Sequence, residues 1–143
     1  MRFEREQVVA AAPDAVYAIV ADLQRRPTWL GELVHVDPSA TTAEVGMRFE
    51  GESRLLLHTF PGSSEVVRAE PGTALSERVH LGARLTSEWE FVPTADGGTR
   101  VRHCMEVVLP GGPLGPIERF VLRRRIASLQ RAALESLDSL ASG

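Results

Sequence analysis

Four histidines and a pair of charged residues on the last helical segment are the side chains of this sequence best suited to move a proton or polarise a ligand. His35, His58, His80 and His103 each fall in a different strand-like run, and an imidazole exchanges its proton near neutral pH. None has the spacing of a metal centre, such as two histidines four apart on a helix, and no carboxylate–histidine motif accompanies them. Neither a metal nor another cofactor is expected. His103 is singled out because it alternates with Val101, Met105 and Val107, which turns it inward on a strand. There it is either a candidate acid or base or a core histidine held by a neighbour. Glu118 and Arg125 are seven residues apart, nearly on one side of a helix and about 10 Å from each other along its axis. That separation suits bracketing a ligand better than direct pairing, and a solvated helix edge is the plainer alternative. Tyr17 and Trp29 each join an apolar body to a polar tip and suit the mouth of a cavity. Arg54, Ser87 and Arg78 are further polar candidates on strands. No nucleophile elbow, phosphate loop, dinucleotide-binding glycine pattern or paired catalytic carboxylate appears.

The segment from Pro116 to Leu140 must position much of this chemistry. Leu122, Ile126, Leu129, Ala133, Leu137 and Leu140 recur by threes and fours, so they form one helical stripe. Pro116 suits its first position. The stripe drifts: Leu114, Ile117 and Val121 point in another direction, with Glu118 and Arg125 between the two. Earlier in the chain, Phe3 to Ala11 reads as a strand. Pro13 opens a short helix whose face is Val16, Ile19, Val20 and Leu23, and Pro27 ends it. A second short helical piece is expected around Thr28 to Leu30, and a strand over Leu33 to Val36. From Met47 the chain alternates strand-like runs with turns at Phe60-Pro61-Gly62, Glu70-Pro71-Gly72 and Asp96-Gly97-Gly98. Leu55-Leu56-Leu57 breaks the alternation there, so the register from Arg54 to Phe60 is left open. Leu85, Ser87, Trp89 and Phe91 share a strand face. Thr99, Val101, His103, Met105 and Val107 share the matching face of the next strand.

Composition bounds the rest. At 143 residues and 43% hydrophobic, the chain has apolar material for one core, so residues 1–143 are read as a single domain. A net charge of -3 argues against a nucleic-acid-binding surface. All 16 basic residues are arginine, and Arg119, Arg123, Arg124 and Arg131 read as the solvent face of the last helix. Cys104 is the one cysteine, which leaves no intramolecular disulfide and fits a reducing compartment. No run has the length and apolarity of a signal peptide core or membrane span, so a cytoplasmic protein without stable membrane insertion is expected.

This order of elements is an α+β pattern, and particular residues sharpen it. Ala12-Pro13-Asp14-Ala15-Val16-Tyr17 opens the first helix, and Trp29 follows the second. Val45-Gly46-Met47-Arg48-Phe49 enters a strand, and Trp89-Glu90-Phe91 precedes Gly98-Thr99-Arg100-Val101. Together they resemble the START-like (SRPBCC) superfamily of the helix-grip fold, in its polyketide cyclase/dehydrase and lipid-transport branch. The resemblance spans essentially the whole chain. It implies a curved antiparallel sheet of about seven strands wrapped around the long C-terminal helix, with two short helices after the first strand and an elongated apolar cavity between sheet and helix. Carried onto this sequence, it implies ligand contacts from Tyr17, Trp29, Phe49, Ser87, Trp89, Met105, Leu114, Ile117, Val121 and Leu122. Pro110 to Gly115 and the turn near Phe60 to Ser63 become rim loops. At 6% aromatic the chain lacks the aromatic-rich cavity of the family's aromatase/cyclases, which favours an aliphatic or mixed ligand.

Two functions of different class follow. In the first, the chain binds a small hydrophobic molecule, lipid-like or polyketide-like. In the second, it is a cyclase or dehydratase in which His103, Glu118 and Arg125 position or polarise the substrate. A non-catalytic interaction module using the short helices or the arginine-rich helix face is the alternative, and a homodimer is the candidate assembly.

Overall fold

The computed structural model describes residues 1–55, 58–108 and 115–142. Seven strands form one antiparallel sheet: β1 (Arg2–Val9), β2 (Leu33–Val36), β3 (Arg48–Leu55), β4 (His58–Glu70), β5 (Ala74–His80), β6 (Arg84–Pro93) and β7 (Thr99–Val108). Their spatial order is β1-β7-β6-β5-β4-β3-β2. The chain closes the sheet's far edge first and then meanders back from β3 to β7, which consecutive antiparallel strands do with short turns. Helix α1 (Pro13–Ala21) and a 3₁₀ turn (Leu23–Thr28) follow β1, and α2 (Pro116–Ser142) ends the chain. This is the helix-grip arrangement.

Curvature has local causes. Gly51 of β3 pairs with Gly62 of β4, so two strands lack a side chain at one cross-strand position. A Cβ on Gly51 would stand 2.5 Å from the His35 carbonyl oxygen, so only glycine lets β2 approach there. Register shifts between Leu33 and His35 of β2 and between Val66 and Arg68 of β4 bend the same side of the sheet, as bulges do.

Phe60-Pro61-Gly62 is not a turn. It lies inside β4, and the β3–β4 connection falls at residues 56–57, outside the described residues. β4 tolerates Pro61 because the last β5 partner is His80, opposite Ser63; beyond it β4 has β3 as its neighbour, and a missing N–H breaks no second ladder. The turns at Pro71-Gly72 and Asp96-Gly97-Gly98 are present, with Gly72 and Gly97 at positive φ. The second helical piece starts earlier than expected, at Leu23, and winds through Pro27. The Arg26 carbonyl accepts from both Trp29 and Leu30, so the winding reaches Leu30.

The core lies between the inner sheet face and the helices. Val16 and Val20 of α1, Leu75, Val101, Leu134 and Leu137 are fully buried in it. Burying such side chains stabilises the fold by about 1.5–3 kcal/mol each. Tyr17 packs edge-on against Phe91 at 5.6 Å, which seats α1 on β6. α2 begins to bury side chains at Leu122; its first turns, Pro116 to Val121, are exposed. No helix is long and apolar enough to cross a membrane among the described residues.

Candidate ligand cavity

Where α2 stands off the sheet, a cavity of about 670 Å³ remains. Strand alternation supplies its floor: Leu85, Ser87 and Trp89 of β6 lie beside Val107, Met105 and His103 of β7. β2 to β5 add Val36, Phe49, Phe60 and Val79, and α2 closes it with Leu122, Ile126, Leu129, Gln130 and Ala133. The lining is mainly apolar, as small-molecule sites generally are. A second hollow of about 600 Å³, bordered by His35, Asp37, Glu50, Ser63 and His80, is polar and more open. Among the described residues, no three His, Cys, Asp or Glu side chains converge to hold a metal ion.

Three polar arrangements interrupt the apolar wall. The first is centred on His103, which is buried and stacks on Trp89 with ring centres 4.1 Å apart. Gln130 Nε2 lies 3.1 Å from its Nδ1, 3.3 Å from the His103 carbonyl oxygen and 3.4 Å from that of Phe3. Both carbonyls can only accept, so the amide nitrogen faces them, and its two hydrogens are shared among the two carbonyls and Nδ1; a ring N–H at Nδ1 would meet a group that cannot accept it. Burial, aided by the charge of Arg26, pushes the imidazole pKa down to about 3, so the ring is neutral and its proton sits on Nε2. Nε2–H donates to Ser87 Oγ at 2.8 Å. A serine nucleophile needs the opposite polarity, with the histidine accepting. This pair is therefore a hydrogen-bonded anchor and not a catalytic dyad.

The second is an ion pair between Arg26 of the 3₁₀ turn and Glu77 of β5, both buried. Each guanidinium Nη donates to a separate carboxylate oxygen, one at 2.9 Å, and Nε donates to the Val20 carbonyl at 2.9 Å. The fork satisfies both partners and cancels their charge. The third is Glu32, on the cavity wall just before β2. Its Oε2 is buried without a hydrogen-bond partner among the described residues. Burial raises its pKa, against smaller opposing effects from its own backbone and from Arg125.

Of the residues expected from the sequence, His103, Phe49, Ser87, Trp89, Met105 and Leu122 line this cavity. His103 is buried, and its pKa is pushed down, away from the neutral range in which the sequence expects it to exchange a proton. Tyr17 is buried against Phe91 instead. Trp29 meets Trp89 edge-on at 5.7 Å and lies behind the lining, its Nε1 without a partner among the described residues. Ile117, 79% exposed, and Val121, 45% exposed, precede the turn at which α2 reaches the sheet. Glu118 and Arg125 are likewise exposed, as their places one turn before Leu122 and one residue before Ile126 dictate. Arg54, Arg78, Arg119, Arg123, Arg124 and Arg131 are exposed too. Leu114 and most of the Pro110 to Gly115 rim loop lie outside the described residues, as do Leu56 and Leu57.

Sequence reasoning missed Arg26, Glu32, Glu77 and Gln130. Two left a trace: Gln130 interrupts the stripe between Ile126 and Ala133, and Glu77 alternates with Leu75 and Val79 on an inward face. Arg26 and Glu32 sit in irregular chain, where no periodicity marks direction.

Comparison with known proteins agrees with this architecture. Solved structures similar over nearly the full chain include the ZhuI aromatase/cyclase from Streptomyces sp. R1128, at TM-score 0.84, 16% identity and coverage of 99% of this chain and 93% of that one. A START superfamily protein from Mycobacterium smegmatis matches at TM-score 0.75 and 11% identity, covering 99% and 97%. A protein from Thermus thermophilus matches at TM-score 0.75 and 19% identity, covering 97% and 95%. No curated protein sequence matches the chain. The family model for polyketide cyclase/dehydrase and lipid transport matches residues 1–142, and the chain belongs to that family.

Proposed function

We propose that the protein binds a small hydrophobic molecule, lipid-like or polyketide-like, in the cavity between sheet and α2. The observation that carries this reading is an apolar space of about 670 Å³ whose buried charges at Arg26 and Glu77 already neutralise each other. Such a wall favours an uncharged, largely apolar guest. The proposal takes the protein as cytoplasmic, with no nucleic-acid partner. Purified protein titrated with the uncharged dye N-phenyl-1-naphthylamine should show saturable fluorescence enhancement, and organic extraction followed by mass spectrometry should recover a bound apolar molecule. Leu85→Trp, which fills the cavity, should weaken the dye by about tenfold, or 1.4 kcal/mol. Unsaturable dye binding that Leu85→Trp leaves unchanged would end this reading.

Proton-transfer catalysis on a biosynthetic intermediate, as in a cyclase or dehydratase, is the second reading, and Glu32 favours it. Its carboxyl lines the cavity with one oxygen unengaged, and burial holds its proton to higher pH, as suits a general acid. The family's substrate is the test: Glu32→Gln should abolish turnover while His103→Ala and Glu118→Ala reduce it less. Full turnover in Glu32→Gln excludes this role.

A further inference from the structure

The wiring of His103 leaves the Ser87 hydroxyl proton without a protein acceptor among the described residues. Ser87 Oγ lies 2.8 Å from His103 Nε2 and accepts from it in the tautomer that the Gln130 amide favours, so its own hydroxyl proton points elsewhere. On either side in the sheet stand Glu77 and Met105. Glu77 directs both carboxylate oxygens at Arg26, and a thioether is a weak acceptor. Among the described residues no acceptor takes the Ser87 proton, and Ser87 lines the cavity.

We propose that Ser87 donates its hydroxyl hydrogen bond to a neutral carbonyl oxygen of the bound molecule, so that the cavity selects apolar ligands carrying a ketone-type group. The inference rests on the ligand-binding reading and adds the chemistry of the ligand's polar atom. A carbonyl fits because it accepts without bringing a donor of its own. A ligand hydroxyl would bring a proton that needs its own acceptor, and the two residues flanking Ser87 in the sheet supply none: Glu77 is engaged by Arg26 and the Met105 thioether accepts weakly. A carboxylate fits worse, since Arg26, the one arginine or lysine lining the cavity among the described residues, is committed to Glu77 and a buried anion would be uncompensated. The device has three parts with separate tasks. Gln130 sets the His103 tautomer, His103 sets the Ser87 rotor, and Ser87 meets the ligand.

A matched pair of probes tests this. 2-Acetylnaphthalene and 2-isopropenylnaphthalene share a shape and differ in a carbonyl oxygen against a methylene. In competition with N-phenyl-1-naphthylamine, wild-type protein should favour the ketone by about tenfold, the range of one net hydrogen bond. Ser87→Ala should erase that preference while keeping the isopropenyl probe's affinity. Equal wild-type affinity for both probes overturns the carbonyl assignment and leaves hydrophobic binding standing. Displacement by neither overturns both. An independent measurement on unmutated protein is nitrogen-15 NMR of the His103 ring, which should find the proton on Nε2 between pH 6 and 8. A proton on Nδ1 overturns the proposal whatever the probes do.

Discussion

Two carboxylates line one cavity and are treated in opposite ways. Glu77, on the regular strand β5, has both oxygens engaged by the Arg26 fork. Glu32, in irregular chain before β2, keeps one buried oxygen unpartnered among the described residues, and its own backbone and the charge of Arg125 offset its burial only in part. The difference separates compensated from uncompensated burial of a carboxyl group. A paired carboxylate can stay ionised inside a protein and holds elements together, here the 3₁₀ turn to the sheet. An unpaired one holds its proton to higher pH and so has a proton to give. His103 belongs on the Glu77 side of this contrast: both ring nitrogens are engaged by protein groups.

Breaking the paired side should have the largest effect. Arg26→Met leaves Glu77 as an uncompensated buried charge and should cost about 3–5 kcal/mol of stability, read as a lower midpoint in urea denaturation. The double variant Arg26→Met/Glu77→Leu, which removes both charges, should recover most of that loss. A double variant as unstable as the single one would mean that the pair acts through packing and not through charge compensation.

His103 gives the next effect, and its sign follows from its pKa. The folded value, about 3, lies below the ordinary 6.5, so between these limits the unfolded chain binds a proton that the folded chain does not. The stability His103 contributes is therefore present above pH 6.5 and is lost as pH falls toward 3, with a slope of at most about 1.4 kcal/mol per pH unit. The difference between wild type and His103→Gln in urea denaturation across this range isolates it from other titrating groups. A flat difference would place the ring in contact with water.

Gln130→Leu should cost less, about 1–3 kcal/mol, because it strips donors from two carbonyls and from His103 Nδ1. Its distinctive sign is in the ring. Without that donor, the His103 proton is no longer confined to Nε2, which the same NMR measurement detects.

The contrast also explains what could be read in advance. Periodicity carried the architecture: α2 from its stripe, β6 and β7 with their inner faces from alternation, and the cavity floor at Ser87, Trp89, His103 and Met105 from register. It failed where a residue's usual meaning was overridden by its neighbours. Pro61-Gly62 reads as a turn, yet it continues β4 past the end of β5. Ile117 and Val121 have the composition of a wall, yet they precede the point where α2 meets the sheet. Glu118 and Arg125 stood out as polar residues beside an apolar stripe, whereas Arg26 and Glu77 are far apart in sequence and meet only in the folded chain. Pairing across the fold has no local signature, and it decides which charges are inert.

The smallest effect should come from Glu32, and it tests the unpaired side directly. Burial raises the folded pKa above the ordinary carboxyl value of 4.5, so the folded chain binds more protons than the unfolded one over the interval above 4.5. The contribution of Glu32 is then full below pH 4.5 and is lost as pH rises through the raised value. Glu32→Gln mimics the protonated form and should lack this loss, so the variant should become the more stable of the two toward pH 8 and show no such gain below pH 4.5. The opposite crossing, with wild type gaining on the variant as pH rises, would mean that Glu32 has a cationic partner, and the distinction from Glu77 would fall.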